Sequence, residues 1–86
     1  MPYIDQPSRE WYEPQLKQLA LLLRRDQPGH LNYLLTRLIV AWLPIRPCYA
    51  DYNTVLGVLE AAKLELYRRM VADYEDSKCE ENGDVY

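Results

Sequence analysis

The sequence predicts an all-α, single-domain protein built from three main helices in a small bundle, and three observations carry that prediction. Leu31, Leu34, Leu35, Leu38, Ile39, Trp42 and Leu43 recur at steps of three and one, which places them on one face of a helix and on both faces of a strand. Prolines and glycines punctuate the chain at Pro28-Gly29 and at Pro44 and Pro47, so the periodic stretches are separated by short connections. The chain has 86 residues, enough for one small domain and too few for two.

The first helix is expected over about residues 14–25. Ser8 can cap a short preceding turn that holds Trp11 and Tyr12, and Pro14 suits the first position of a longer helix, where its missing N–H costs nothing. Leu16, Leu19, Ala20, Leu22 and Leu23 then fall on one face, with Lys17, Gln18, Arg24 and Arg25 largely off it. Asp26-Gln27-Pro28-Gly29 reads as the break before a second helix over about 30–43. Asp51 reads as the N-cap of a third helix over about 52–74, whose apolar face holds Tyr52, Val55, Leu56, Leu59, Ala62, Leu66, Tyr67 and Met70. Gly57 and Ala61, four apart, offer a smooth patch on which another helix could pack closely and so offset the cost of a helical glycine. Residues 1–75 thus form the helical domain. Residues 76–86 form an acidic tail that turns at Asn82-Gly83 and ends in Val85-Tyr86, which has apolar area to dock.

Composition excludes several classes of function. Hydrophobic residues at 49% and charged residues at 27% match a globular chain and not a disordered one. The longest apolar run, Leu38 to Leu43, is far below the roughly 20 residues of a membrane span. Met1-Pro2-Tyr3-Ile4-Asp5 shows no basic stretch followed by an apolar one, so the expected location is the cytoplasm. Up to Ala72 the chain carries nine Lys/Arg against seven Asp/Glu; beyond it, one lysine faces six carboxylates. A body so weakly basic does not suit duplex nucleic acid. Cys48 and Cys79 are expected as reduced thiols, and with His30 they lack the short spacings that preassemble a metal site. No cofactor is expected. Gly29, Gly57 and Gly83 stand alone, so neither a phosphate loop nor a dinucleotide fingerprint is present. His30 has no partner spaced for general acid or base work and reads as a capping or surface residue. Glu75-Asp76 and Glu80-Glu81 are adjacent acids on the tail, without the rigid separation that paired-carboxylate catalysis requires. The chain is therefore expected not to be an enzyme.

Tyrosine beside arginine is what remains. Tyr33 and Arg37 are one turn apart, and Tyr67, Arg68 and Arg69 cluster one turn before Tyr74. Aromatic faces stack on bases and guanidinium forks match phosphates, so these six residues are the candidate ligand site for a nucleotide-like molecule. The plainer alternative is that the tyrosines edge a core while Arg68 and Arg69 pair with Glu65 or the acidic tail. Trp11, Tyr12 and Trp42, with Gly57, Ala61 and Tyr86, are candidate interface residues, because large aromatics in so small a chain suit burial between protomers of a homo-oligomer or against a host protein.

Several strings carry a family resemblance: Met1-Pro2-Tyr3-Ile4, Leu31-Asn32-Tyr33 with Leu35-Thr36-Arg37-Leu38, Gly57-Val58-Leu59-Glu60, Lys63-Leu64-Glu65 with Tyr67-Arg68-Arg69, Tyr74-Glu75-Asp76, and the closing Glu81-Asn82-Gly83-Asp84-Val85-Tyr86. Over nearly its whole length the chain resembles a group of small proteins encoded by bacteria and their viruses. Where that group often has Asp-Pro at the start of the first long helix, this chain has Glu13-Pro14. The resemblance supplies no active site. A viral origin implies, by analogy, roles such as blocking a host defence by sequestering an immune signal.

Overall fold

In the computed structural model, which describes all 86 residues, the chain is helical without strands. The elements are α1 (Gln6–Leu22), α2 (Pro28–Trp42), α3 (Tyr49–Leu66), a π-helical turn (Tyr67–Val71) and α4 (Ala72–Asn82). They fall into two units, Pro2–Tyr52 and Asn53–Tyr86 with Met1, each taken by itself below. No helix is long and apolar enough to cross a membrane.

In the first unit, α1 begins eight residues earlier than Pro14 suggests, because Pro7 already fills an opening position of the helix and the chain needs no second start. Asp5 occupies the N-cap position in extended backbone without a side-chain cap. Ser8 is inside the helix, and so is Pro14. Arg9 steadies the entry by donating from Nε to the Ile4 carbonyl at 2.7 Å. The helix stops at Leu22, short of Arg24 and Arg25, and the break is Leu23 to Gln27. Pro28 does not belong to that break: it sits in the opening turn of α2, with Gly29 after it. Leu43, forced into extended backbone by Pro44, ends α2 as expected.

Asp51 caps the third helix from inside rather than from its edge. α3 starts at Tyr49, and the Cys48 backbone N–H donates to the Asp51 carboxylate at 2.9 Å, which satisfies a donor the helix leaves open. Asp51→Ala should lose about 1 kcal/mol of stability, read as a lower thermal midpoint at equal protein concentration.

In the second unit, the helical path continues from α3 through the π turn into α4. The Ala72 N–H bonds to the Tyr67 carbonyl, one residue further back than in an α-helix. Residues on the wider turn advance by less than the α-helical step, so Tyr74 is rotated relative to Tyr67. Helix then extends to Asn82, beyond the expected start of a tail at residue 76. Ser77 Oγ donates to the Asp73 carbonyl at 3.1 Å, and Lys78 bridges to Glu81 at 3.3 Å while lying 5.7 Å from the Tyr74 ring centre. The turn comes at Gly83, whose φ of 92° suits glycine and whose N–H closes on the Cys79 carbonyl at 2.8 Å.

The apolar stripes form, yet no residue is buried. Leu19, Leu23, Leu34, Ile39, Leu43, Val55 and Leu59 are half-buried, while Leu16, Leu22, Leu31, Leu35, Leu38 and Leu56 stay exposed. Periodicity fixes which face is apolar and is silent on what covers it. At Gly57 nothing lies within 4 Å of where a Cβ would stand. Gly57→Ala should therefore raise stability by about 1 kcal/mol, through the better helix propensity of alanine. Urea unfolding at matched concentration checks this.

Candidate functional site

The end of α1 and the start of α2 together line a groove of about 490 Å³, from Leu19, Leu22 and Leu23 on one side to His30, Tyr33 and Leu34 on the other. Each side follows from helical spacing: residues three and four apart share a face, and the short Leu23–Gln27 connection turns the second helix back towards the first. The floor is apolar, and no serine, threonine, cysteine or carboxylate lines it. Its volume lies within the roughly 300–1,000 Å³ usual for small-molecule sites.

Arg37 is tied to this groove through Tyr33. Its Nη1 donates to the Tyr33 hydroxyl at 3.0 Å, and the guanidinium carbon lies 5.8 Å from the ring centre. The remaining guanidinium N–H groups have no partner. α2 holds no acidic residue at all, so no carboxylate on that helix offsets the charge. The result is a positioned, uncompensated cation beside an apolar groove, an arrangement that suits a flat, apolar ring carrying an anionic group.

The later arginines are placed differently. Arg68 donates to both carboxylate oxygens of Glu65, at 2.6 and 3.4 Å, so its fork is already occupied. Arg69 makes no hydrogen bond or ion pair, and Tyr67 and Tyr74 are exposed. Tyr67, Arg68 and Arg69 all lie on the π turn, a rare feature that recurs at functional sites and that no spacing in the sequence announced. Tyr33 and Arg37 belong to the first unit and these four residues to the second.

A second groove, about 350 Å³, lies at the start of the chain between Pro2, Tyr3, Ile4, Arg9, Tyr12, Glu13 and Leu16. Its one cation, Arg9, is held by the Ile4 carbonyl, and Glu13 adds a negative charge, so it is a poor anion site. Trp11 and Tyr12 meet edge to face at 6.5 Å between ring centres and are exposed, as are Trp42 and Tyr86; Ala61 is half-buried. Cys48 and Cys79 are free thiols on the surface. Sequence reasoning missed the leucines of α1 and His30 as site residues, since they join Tyr33 only once two helices are apposed.

No curated protein and no solved structure matches this chain. One family model does, over residues 1–85, and by that match the chain belongs to the family described as Domain of unknown function (DUF6899).

Proposed function

We propose that this protein is a non-catalytic binding protein that sequesters a phosphorylated, nucleotide-like molecule at the α1–α2 groove. The observation that carries the reading is Arg37: it is held on Tyr33, beside an apolar floor, with no acid on its own helix. The floor would take the base, Tyr33 would stack or hydrogen-bond, and the guanidinium fork would grip phosphate. In the second unit, taken by itself, Arg69 on the π turn is a separate candidate phosphate contact, with Tyr67 and Tyr74 near it in the chain. The groove is lined by no serine, threonine, cysteine or carboxylate that would pair with His30 for cleavage, which supports holding over turnover. In a viral setting, which the sequence resemblance supports, such capture would blunt a host defence that signals through nucleotides.

Titration calorimetry with adenine and guanine mononucleotides and cyclic dinucleotides tests this. Saturable binding is expected for at least one, with the nucleotide recovered intact after heat denaturation; absence of binding across the panel would refute it. A second reading, a protein inhibitor or adaptor, draws on exposed Trp11 and Tyr12 and on the acidic residues Asp73, Glu75, Asp76, Glu80 and Glu81 of α4. It predicts salt-sensitive capture of a basic host protein that is lost when Glu80 and Glu81 are both replaced by lysine.

A further inference from the structure

The groove at the start of the chain holds one charge of each sign, and the two are not paired with each other. Among the ten Lys/Arg residues nine are exposed, and Arg9 alone is half-buried. Its Nε donates to a neutral acceptor, the Ile4 carbonyl, at 2.7 Å; that bond fixes the guanidinium and leaves the edge carrying both Nη groups open. Asp5 stands one turn before Arg9 and Glu13 one turn after, at the spacing where ion pairs ordinarily close on a helix, and Arg9 bridges to neither. Glu13 lines the same groove, has Lys17 one turn beyond it, and likewise bridges to neither cation.

We infer that this groove binds a free α-amino acid with an apolar side chain: its carboxylate on the open edge of Arg9, its ammonium on Glu13, and its side chain against Pro2, Ile4, Tyr12 and Leu16.

Charge selects this occupant. An anion alone would meet the repulsion of Glu13 and a cation alone that of Arg9, whereas a molecule with both charges answers both. Four residues of helix rise about 6 Å, so one small molecule reaches both heads. An α-amino acid carries its two charges one carbon apart beside a single apolar group; a longer peptide holds them at opposite ends. The volume, about 350 Å³, is at the small end of ligand sites and suits a single amino acid. All these residues lie in the first unit and none lines the α1–α2 groove, so the inference does not depend on nucleotide capture.

Titration calorimetry of the full chain at neutral pH with L-phenylalanine, L-leucine and L-tryptophan tests it, beside phenylpropionate, which lacks the ammonium, and phenethylamine, which lacks the carboxylate. At least one amino acid is expected to bind saturably, and each one-charge analogue more weakly than L-phenylalanine. Arg9→Gln should weaken the amino acid about tenfold. Since that change also removes the bond to Ile4, Glu13→Gln is the cleaner variant: Glu13 makes no contact the helix needs, so helix content should hold while L-phenylalanine binds about fivefold more weakly and phenylpropionate does not. Arg25→Gln, at an exposed cation outside both grooves, should change nothing. No saturation by any of the three amino acids up to about 10 mM, beyond the weak end of specific affinity, would overturn the inference. So would phenylpropionate binding as tightly as L-phenylalanine, or an affinity for L-phenylalanine that Glu13→Gln leaves unchanged.

Discussion

Replacing Arg37 by alanine is expected to weaken binding of a nucleotide monophosphate or cyclic dinucleotide by about 30- to 100-fold, the loss of roughly 2–3 kcal/mol that charge-assisted hydrogen bonds to phosphate supply. Arg37 is exposed and its one partner is the Tyr33 hydroxyl, so helix content should not change. Lysine at the same position keeps the charge and loses the planar fork; it should recover only part of the affinity. Tyr33→Phe removes the oxygen that positions the guanidinium while keeping the ring, and should cost less, about 1 kcal/mol. Calorimetric titration of the three variants against one nucleotide reads this order directly. Equal affinity in Arg37→Ala and the unmodified chain would remove the groove from consideration.

Pro14→Ala should be the most stabilising single change in the chain. Pro14 lies well inside the 17-residue α1, where it cannot donate to the Glu10 carbonyl and where its ring crowds that oxygen. Interior proline costs about 3 kcal/mol relative to alanine in a helix, and the greater freedom of the unfolded alanine chain returns up to about 1 kcal/mol. A net gain of about 2 kcal/mol is the expected outcome, measured as a higher guanidinium midpoint at equal protein concentration. A midpoint that falls would mean that the bend Pro14 imposes is itself needed, for example to set how Leu19, Leu22 and Leu23 meet α2.

What could be read from the residues alone follows from what periodicity encodes. The second helix was legible because seven apolar positions repeat without exception, and its end was legible because Pro44 forbids continuation. Starts were harder. Two prolines, Pro7 and Pro14, both suit an opening turn, and nothing local says that the first takes that role and the second is tolerated inside. Pro28-Gly29 likewise reads as a break, though proline at the start of a helix is equally natural. The π turn had no signature, because one residue of extra turn leaves the apolar pattern nearly intact. Burial was not legible at all: spacing names the face and is silent on what covers it.

The site divides in the same way. Tyr33 and Arg37 were paired correctly from a separation of four on one helix, and the Arg68–Glu65 pair follows from a separation of three. The groove beside Tyr33 was not legible, because Leu19, Leu22 and Leu23 reach it from a different helix and their spacing alone marks them only as an apolar face.

Capture without turnover is the account's central claim, and native mass spectrometry of the protein purified from cells that make the nucleotide tests it most directly. The account predicts a discrete adduct that survives purification, disappears in Arg37→Ala, and is released on denaturation with the mass of an intact phosphorylated nucleotide. Release of a hydrolysed or otherwise altered product, or a protein that carries no adduct even after incubation with the nucleotide panel, would contradict it.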